Sequence, residues 1–125
     1  MNTDENDLSK LTERVIGAAF AVSNGLGAGF LEKVYENALV HELRKRGLKV
    51  TQQHPFKVLY DDQIVGEYVC DLLVEGVLLV ELKAVKALDD IHLAQCINYL
   101  KATNLTLCLL INFGNPKIEV KRLRN

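Results

Sequence analysis

The chain has 125 residues, 49% of them apolar, which suits one domain spanning 1–125 with a real buried core. Its formal net charge is -1, so the composition gives no sign of a disordered charged tail or of a protein built to coat a polyanion, and no apolar stretch nears the roughly 20 residues of a membrane span. Three cysteines (Cys70, Cys96 and Cys108) form no CxxC pair and lie in apolar runs, so they read as reduced buried thiols and the expected compartment is cytoplasmic.

Leu8, Leu11, Val15, Ala18, Ala19 and Val22 recur at helical spacing, with Asp4, Glu5 and Asp7 where a helix N-terminus favours negative charge. The spacing predicts a first helix that Asn24-Gly25 ends. The glycine-rich GLGAG follows; no Gly-Lys-Ser/Thr comes after it, so it reads as a helix-to-helix turn and not as a phosphate loop. Phe30 to Arg46 is again helical in period, with basic residues in its last turn and Gly47 as its stop.

The period then becomes strand-like. Residues 48–60 form a first strand whose Pro55 argues for an edge or a bulge, Asp61-Asp62 supplies a turn, and a second strand runs from about Ile64 to Val74. After Gly76 the run VLLVELK is apolar until its last positions, as in a central strand that becomes polar on leaving the core. Residues 88–102 return to a helical pattern, and 105–113 and 117–123 read as closing strands. The order ααβββαββ points to an α/β or α+β layered domain.

The pattern that carries chemistry is Asp71 in one strand and Glu81-Leu82-Lys83 in the next. Glu81 and Lys83 share a face because strand side chains alternate. Two carboxylates at one spot repel each other, and a hard divalent cation relieves that repulsion; a neighbouring lysine can assist an attacking water and offset charge on a phosphate. Taken alone, the same spacing also describes exposed strand residues joined by an ion pair. Register decides whether the site can exist. A two-residue loop at Glu75-Gly76 sets Asp71 opposite Val80 and sends Glu81 to the other face, whereas a three-residue loop or a bulge sets Asp71 opposite Glu81; the odd register is expected.

Further motifs keep company with this one. Gly29-Phe30-Leu31-Glu32-Lys33-Val34-Tyr35, the stretch GEYVCDLLVEGVLLVELKA at 66–84, Gln95-x-x-x-Tyr99 and LLINFG at 109–114 together resemble the GxxExxY family of PD-(D/E)XK nuclease-like proteins over nearly the whole chain. One departure is Cys70, where the superfamily name has proline. The resemblance implies a restriction-endonuclease-like α/β core, a mixed sheet of about five strands flanked by helices. It implies that Asp71, Glu81 and Glu32 hold Mg²⁺ or Mn²⁺, that Lys83 is the catalytic lysine, and that Gln95 and Tyr99 support it or touch substrate. The implied activity is hydrolysis of nucleic acid, with a catalytically silent binding module and a homodimeric scaffold as alternatives.

Each residue also has a plainer reading. Glu32 can be a solvated helix glutamate, Tyr35 a packing residue, Gln95 a surface amide and His92 a structural histidine; His41 and His54 have no partners at metal-ligand spacing. The basic residues Arg44, Lys45, Arg46 and Lys49, and Lys117, Lys121, Arg122 and Arg124, are either solvated element ends or, if both groups flank the cleft, a path for phosphates.

Overall fold

The computed structural model describes residues 5–125. Two helices, α1 (Glu5–Leu26) and α2 (Glu32–Lys45), precede strands β1 (Val50–Tyr60), β2 (Gln63–Val74) and β3 (Leu78–Lys83). Helix α3 (Asp90–Thr103) and strands β4 (Leu107–Asn112) and β5 (Glu119–Arg124) follow. The order is ααβββαββ, as the sequence predicts, and no helix among the described residues is long and apolar enough to cross a membrane.

The five strands form one mixed sheet in chain order. Its pairings are antiparallel except between β3 and β4, which α3 joins as a crossover. Strands β3 and β4 are buried along almost their whole length, which is why their sequences are continuous apolar runs. One face carries Leu72, Val74, Val80 and Leu109 against Leu11, Val15, Leu39 and Leu43 of α1 and α2; the other carries Cys70, Leu79 and Leu110 against Cys96, Tyr99 and Leu100 of α3. All three cysteines are buried and free of disulfides.

Local chemistry sets the element ends. Glu5 and Asp7 lie in the first turn of α1, while Asp4 lies outside the described residues. Helix α1 continues through Gly25 to Leu26 before Gly27, at φ 74°, turns the chain. Helix α2 starts at Glu32, two residues later than the periodicity suggests. Asp89 caps α3, its side chain accepting the Ile91 amide while His92 Nδ1 accepts the Asp89 amide, so His92 is a capping residue. Strand β1 lies on the sheet edge, as Pro55 suggests, and Asp61 and Asp62 both adopt the left-handed conformation that a two-residue hairpin turn requires.

Candidate functional site

The β2–β3 turn decides what faces what. Val74 pairs with Leu78, leaving Glu75, Gly76 and Val77 as a three-residue connection with Glu75 at φ 52° and Gly76 at φ 70°. Left-handed backbone is unfavourable for a glutamate, and two bonds hold it: the Glu75 amide donates to Lys49 O at 2.8 Å and its carboxylate accepts the Lys49 amide at 2.6 Å. The odd register expected from the site chemistry is the one observed.

The regular β2–β3 ladder stops at Leu72 and Val80. One step further, the carboxylates replace it. The Asp71 amide donates to Glu81 Oε2 at 2.6 Å, and the Leu82 amide donates to Asp71 Oδ2 at 2.8 Å. Across β1, Gln53 drops out of the ladder opposite Asp71 and takes φ 55°. Strand β2 turns over here: Cys70 packs towards α3, whereas Leu72 and Val74 pack towards α1 and α2. Asp71 therefore lies where influences from both helical layers meet.

The electrostatics follow from this crowding. Glu81 is 4% exposed; burial raises its carboxyl far above the usual range, and Asp71's charge raises it further. Burial also raises Asp71; the Leu82 amide opposes that rise and Glu36's charge adds to it. Glu32, half-buried at the start of α2, is raised by burial and then by Asp71. Lys83, partly buried at the end of β3, favours ionisation of all three carboxylates through its charge, and no ion pair or side-chain hydrogen bond engages it among the described residues.

Two carboxylates forced together out of water are the donor chemistry that a hard cation relieves. Among the described residues no three His, Cys, Asp or Glu side chains form a group that could hold a metal ion. Asp71 and Glu81 therefore bring two carboxylates to one place, and Glu32 is a charged neighbour from α2.

Gln95 and Tyr99 come together, Gln95 Nε2 donating to the Tyr99 hydroxyl at 3.1 Å. Burial raises the Tyr99 phenol, and the charge of Glu81 adds to the rise, so this pair borders the carboxylates. Tyr35 is a packing residue. It stacks on Phe113 at 4.9 Å, and its hydroxyl donates to Gly27 O at 2.6 Å and accepts the Phe30 amide at 3.1 Å. It thereby fixes the glycine loop, in which Gly29 takes φ 114°, and with it the start of α2 that carries Glu32.

Part of each basic segment is paired with acidic residues. Lys45 and Arg46 pair with Glu42, Arg122 with Glu13 and Arg124 with Glu5, so the two groups are tied to α1 and α2.

Two positioning elements escape sequence reasoning. Glu36 is 3% exposed and accepts from Lys33, Gln52 and Gln53. The signal for it was its spacing, one helical turn after Glu32 on the same face. Asn112, fully buried, pairs with Lys83 in register and clamps the next loop: its Oδ1 accepts the Val85 amide at 3.0 Å and its Nδ2 donates to Val85 O at 2.9 Å. A lone amide in a buried apolar strand was the signal there. Gly114 beside it admits no side chain, since a Cβ would lie 2.0 Å from Val85 O.

A family model described as the PD-(D/E)XK nuclease superfamily matches residues 9–123. No curated protein and no solved structure matches the chain.

Proposed function

The chain belongs to the PD-(D/E)XK nuclease superfamily, and on that premise we propose that it is a metal-dependent nuclease hydrolysing phosphodiester bonds of nucleic acid through Asp71, Glu81 and Lys83. Its five-stranded mixed sheet and ααβββαββ order are consistent with that superfamily's fold. Gly29, Glu32 and Tyr35 support assignment to the GxxExxY branch.

The observation that carries the proposal is the carboxylate pair, with Glu81 almost fully buried, Asp71 against it, both held by backbone amides and both raised. Burying two like charges is costly, and a protein with no use for them has no reason to keep them so. Mg²⁺ or Mn²⁺, when bound, supplies Lewis acidity towards the scissile phosphate and lowers the pKa of water. Asp71 and Glu81 hold the cation, and the two amide bonds fix the directions of their remaining lone pairs. Lys83, on Glu81's face at the strand end, presents an ammonium to the phosphate or takes part in proton transfer from the attacking water. Glu32 adds an acidic neighbour from α2. Gln95 orients the Tyr99 hydroxyl beside the carboxylates. The three reduced cysteines suit a reducing compartment such as the cytoplasm.

The test is incubation with single- and double-stranded DNA and RNA in Mg²⁺ or Mn²⁺. Cleavage that EDTA stops and Lys83→Ala lacks supports the proposal. Cleavage by wild type no greater than by Lys83→Ala across the panel overturns it.

A further inference from the structure

Beside the carboxylate pair, a cleft of about 820 Å³ lies between the β1–β2 hairpin and α3. That is within the range of sites that enclose small organic groups. Three aromatic rings line it. Phe56 and Tyr68 stack at 6.1 Å, Phe56 meets Tyr99 edge-on at 4.9 Å, and Tyr68 lies 5.8 Å from Tyr99. Tyr68 is 50% exposed, so much of its surface is open to solvent.

The polar lining is selective. Lys101 from α3 contributes an ammonium group, Gln95 and Asn98 contribute amides, and no carboxylate lines the cleft. Tyr99 belongs to both places: it lines the cleft, and its hydroxyl lies near enough to Asp71 and Glu81 to feel their charge. An aromatic wall, amides and a cation contiguous with a carboxylate pair match a nucleobase and its phosphate. A base within a duplex is covered on both faces and cannot lie against these rings.

We propose that this cleft binds an unpaired nucleobase, the ring stacking on Tyr68 and Phe56 and a flanking phosphate meeting Lys101. The substrate is therefore single-stranded or locally unpaired nucleic acid, with the strand running past Tyr99 towards Asp71 and Glu81. This rests on the nuclease reading above, which supplies the nucleic acid as ligand. It adds that the protein selects strands whose bases are free.

The experiment is fluorescence anisotropy with labelled single-stranded DNA, single-stranded RNA and a matched DNA duplex in EDTA, where nothing is cleaved. Wild type binds a single strand more tightly than the duplex, and the DNA and RNA arms identify the sugar. Tyr68→Ala weakens single-strand binding about 5- to 100-fold, the range for loss of one base–aromatic stack, while Tyr68→Phe retains it. Lys101→Ala weakens it and reduces its salt dependence by about one phosphate contact. Both positions are exposed, so folding is expected to survive and is checked by circular dichroism. Tighter binding to duplex, single-strand binding indifferent to Tyr68→Ala and Lys101→Ala, or no binding at all overturns the cleft proposal. Concentration-dependent self-association that Tyr68→Ala abolishes, without oligonucleotide binding, assigns the cleft to a second copy instead. A duplex still cleaved in Mg²⁺ under any of these results leaves the nuclease reading standing and removes only the cleft.

Discussion

Glu36 and Glu81 are almost equally buried, at 3% and 4% exposure, yet their surroundings treat them in opposite ways. Burial alone pushes both carboxyls up. At Glu36, hydrogen bonds from Gln52, Lys33 and Gln53 and the charge of Lys33 outweigh burial, and the carboxyl is held below its usual range. At Glu81 the one strong donor is the Asp71 amide, and the Asp71 carboxylate beside it adds repulsion, so the carboxyl stays raised. Glu36 is a charge whose solvation the protein has replaced. Glu81 is a carboxyl whose charged form the protein leaves incompletely solvated, which is what the proposed cation site requires.

The contrast is broken most forcefully at Lys83, whose charge acts on Glu32, Asp71 and Glu81. Lys83→Ala leaves Asp71 and Glu81 in place, so nuclease activity should fall by about two to four orders of magnitude while the melting temperature stays close to wild type. A comparable loss of stability and activity would instead make Lys83 a structural counter-ion.

Next in size is the structural partner. Glu36→Ala leaves Gln52 and Gln53 without their shared acceptor and should cost about 1–3 kcal/mol in chemical denaturation. Glu81→Gln replaces a carboxyl that the fold keeps protonated at neutral pH, so it should cost much less in the metal-free protein. Equal losses from the two substitutions would erase the distinction.

The pH dependence separates the two residues by sign. The Glu81 carboxyl is pushed up to about 9 in the folded protein, so its stabilising contribution is present below the ordinary carboxylate range and is lost as pH rises towards 9. Metal-free wild type should therefore lose stability relative to Glu81→Gln over that window, by at most about 1.4 kcal/mol per pH unit. Glu36, lowered in the fold, contributes above the ordinary range and loses that contribution as pH falls. Denaturation curves from about pH 2.5 to pH 9 for wild type, Glu81→Gln and Glu36→Gln would show the opposite trends, Glu81 above and Glu36 below the ordinary carboxylate range. Parallel curves for all three would contradict them.

A smaller effect tests how Glu32 is placed. Tyr35→Phe removes the hydroxyl that joins Gly27 to Phe30 and keeps the ring on Phe113, so it should cost about 1 kcal/mol. Activity should fall with it if the start of α2 shifts, and stay unchanged if Glu32 has no part in the reaction.

Much of this was legible in the sequence because the relevant signals are local. Glu75-Gly76 announced a turn, alternation put Glu81 and Lys83 on one face, and the odd register followed from requiring Asp71 to meet them. The apolar run of β3 announced a buried central strand, whereas β4 read only as a closing strand and its buried place beside β3 came from the parallel pairing. What stayed hidden depends on partners distant in the chain. Nothing near Gln53 announces a left-handed glutamine in the middle of a strand; its conformation becomes intelligible only with Asp71 across the ladder and Glu36 beneath its amide. The Asn112 clamp on Val85 spans 27 positions and needs the parallel β3–β4 register to exist. The basic segments read either as solvated ends or as a phosphate path, and the acidic partners of Arg46, Arg122 and Arg124 on α1 and α2 are not visible in the sequence.

The central claim is that the Asp71–Glu81 pair is a charge deficit awaiting a cation, whereas Glu36 is complete. Thermal unfolding with increasing Mg²⁺ or Mn²⁺ tests it directly. A ligand at one hundred times its dissociation constant adds about 2.7 kcal/mol, which for a chain of this size shifts the melting temperature upward by several degrees. Wild type and Glu36→Gln should show that shift, and Asp71→Asn and Glu81→Gln should lose it. The same response to millimolar metal in all four proteins, or none in wild type, would contradict the claim.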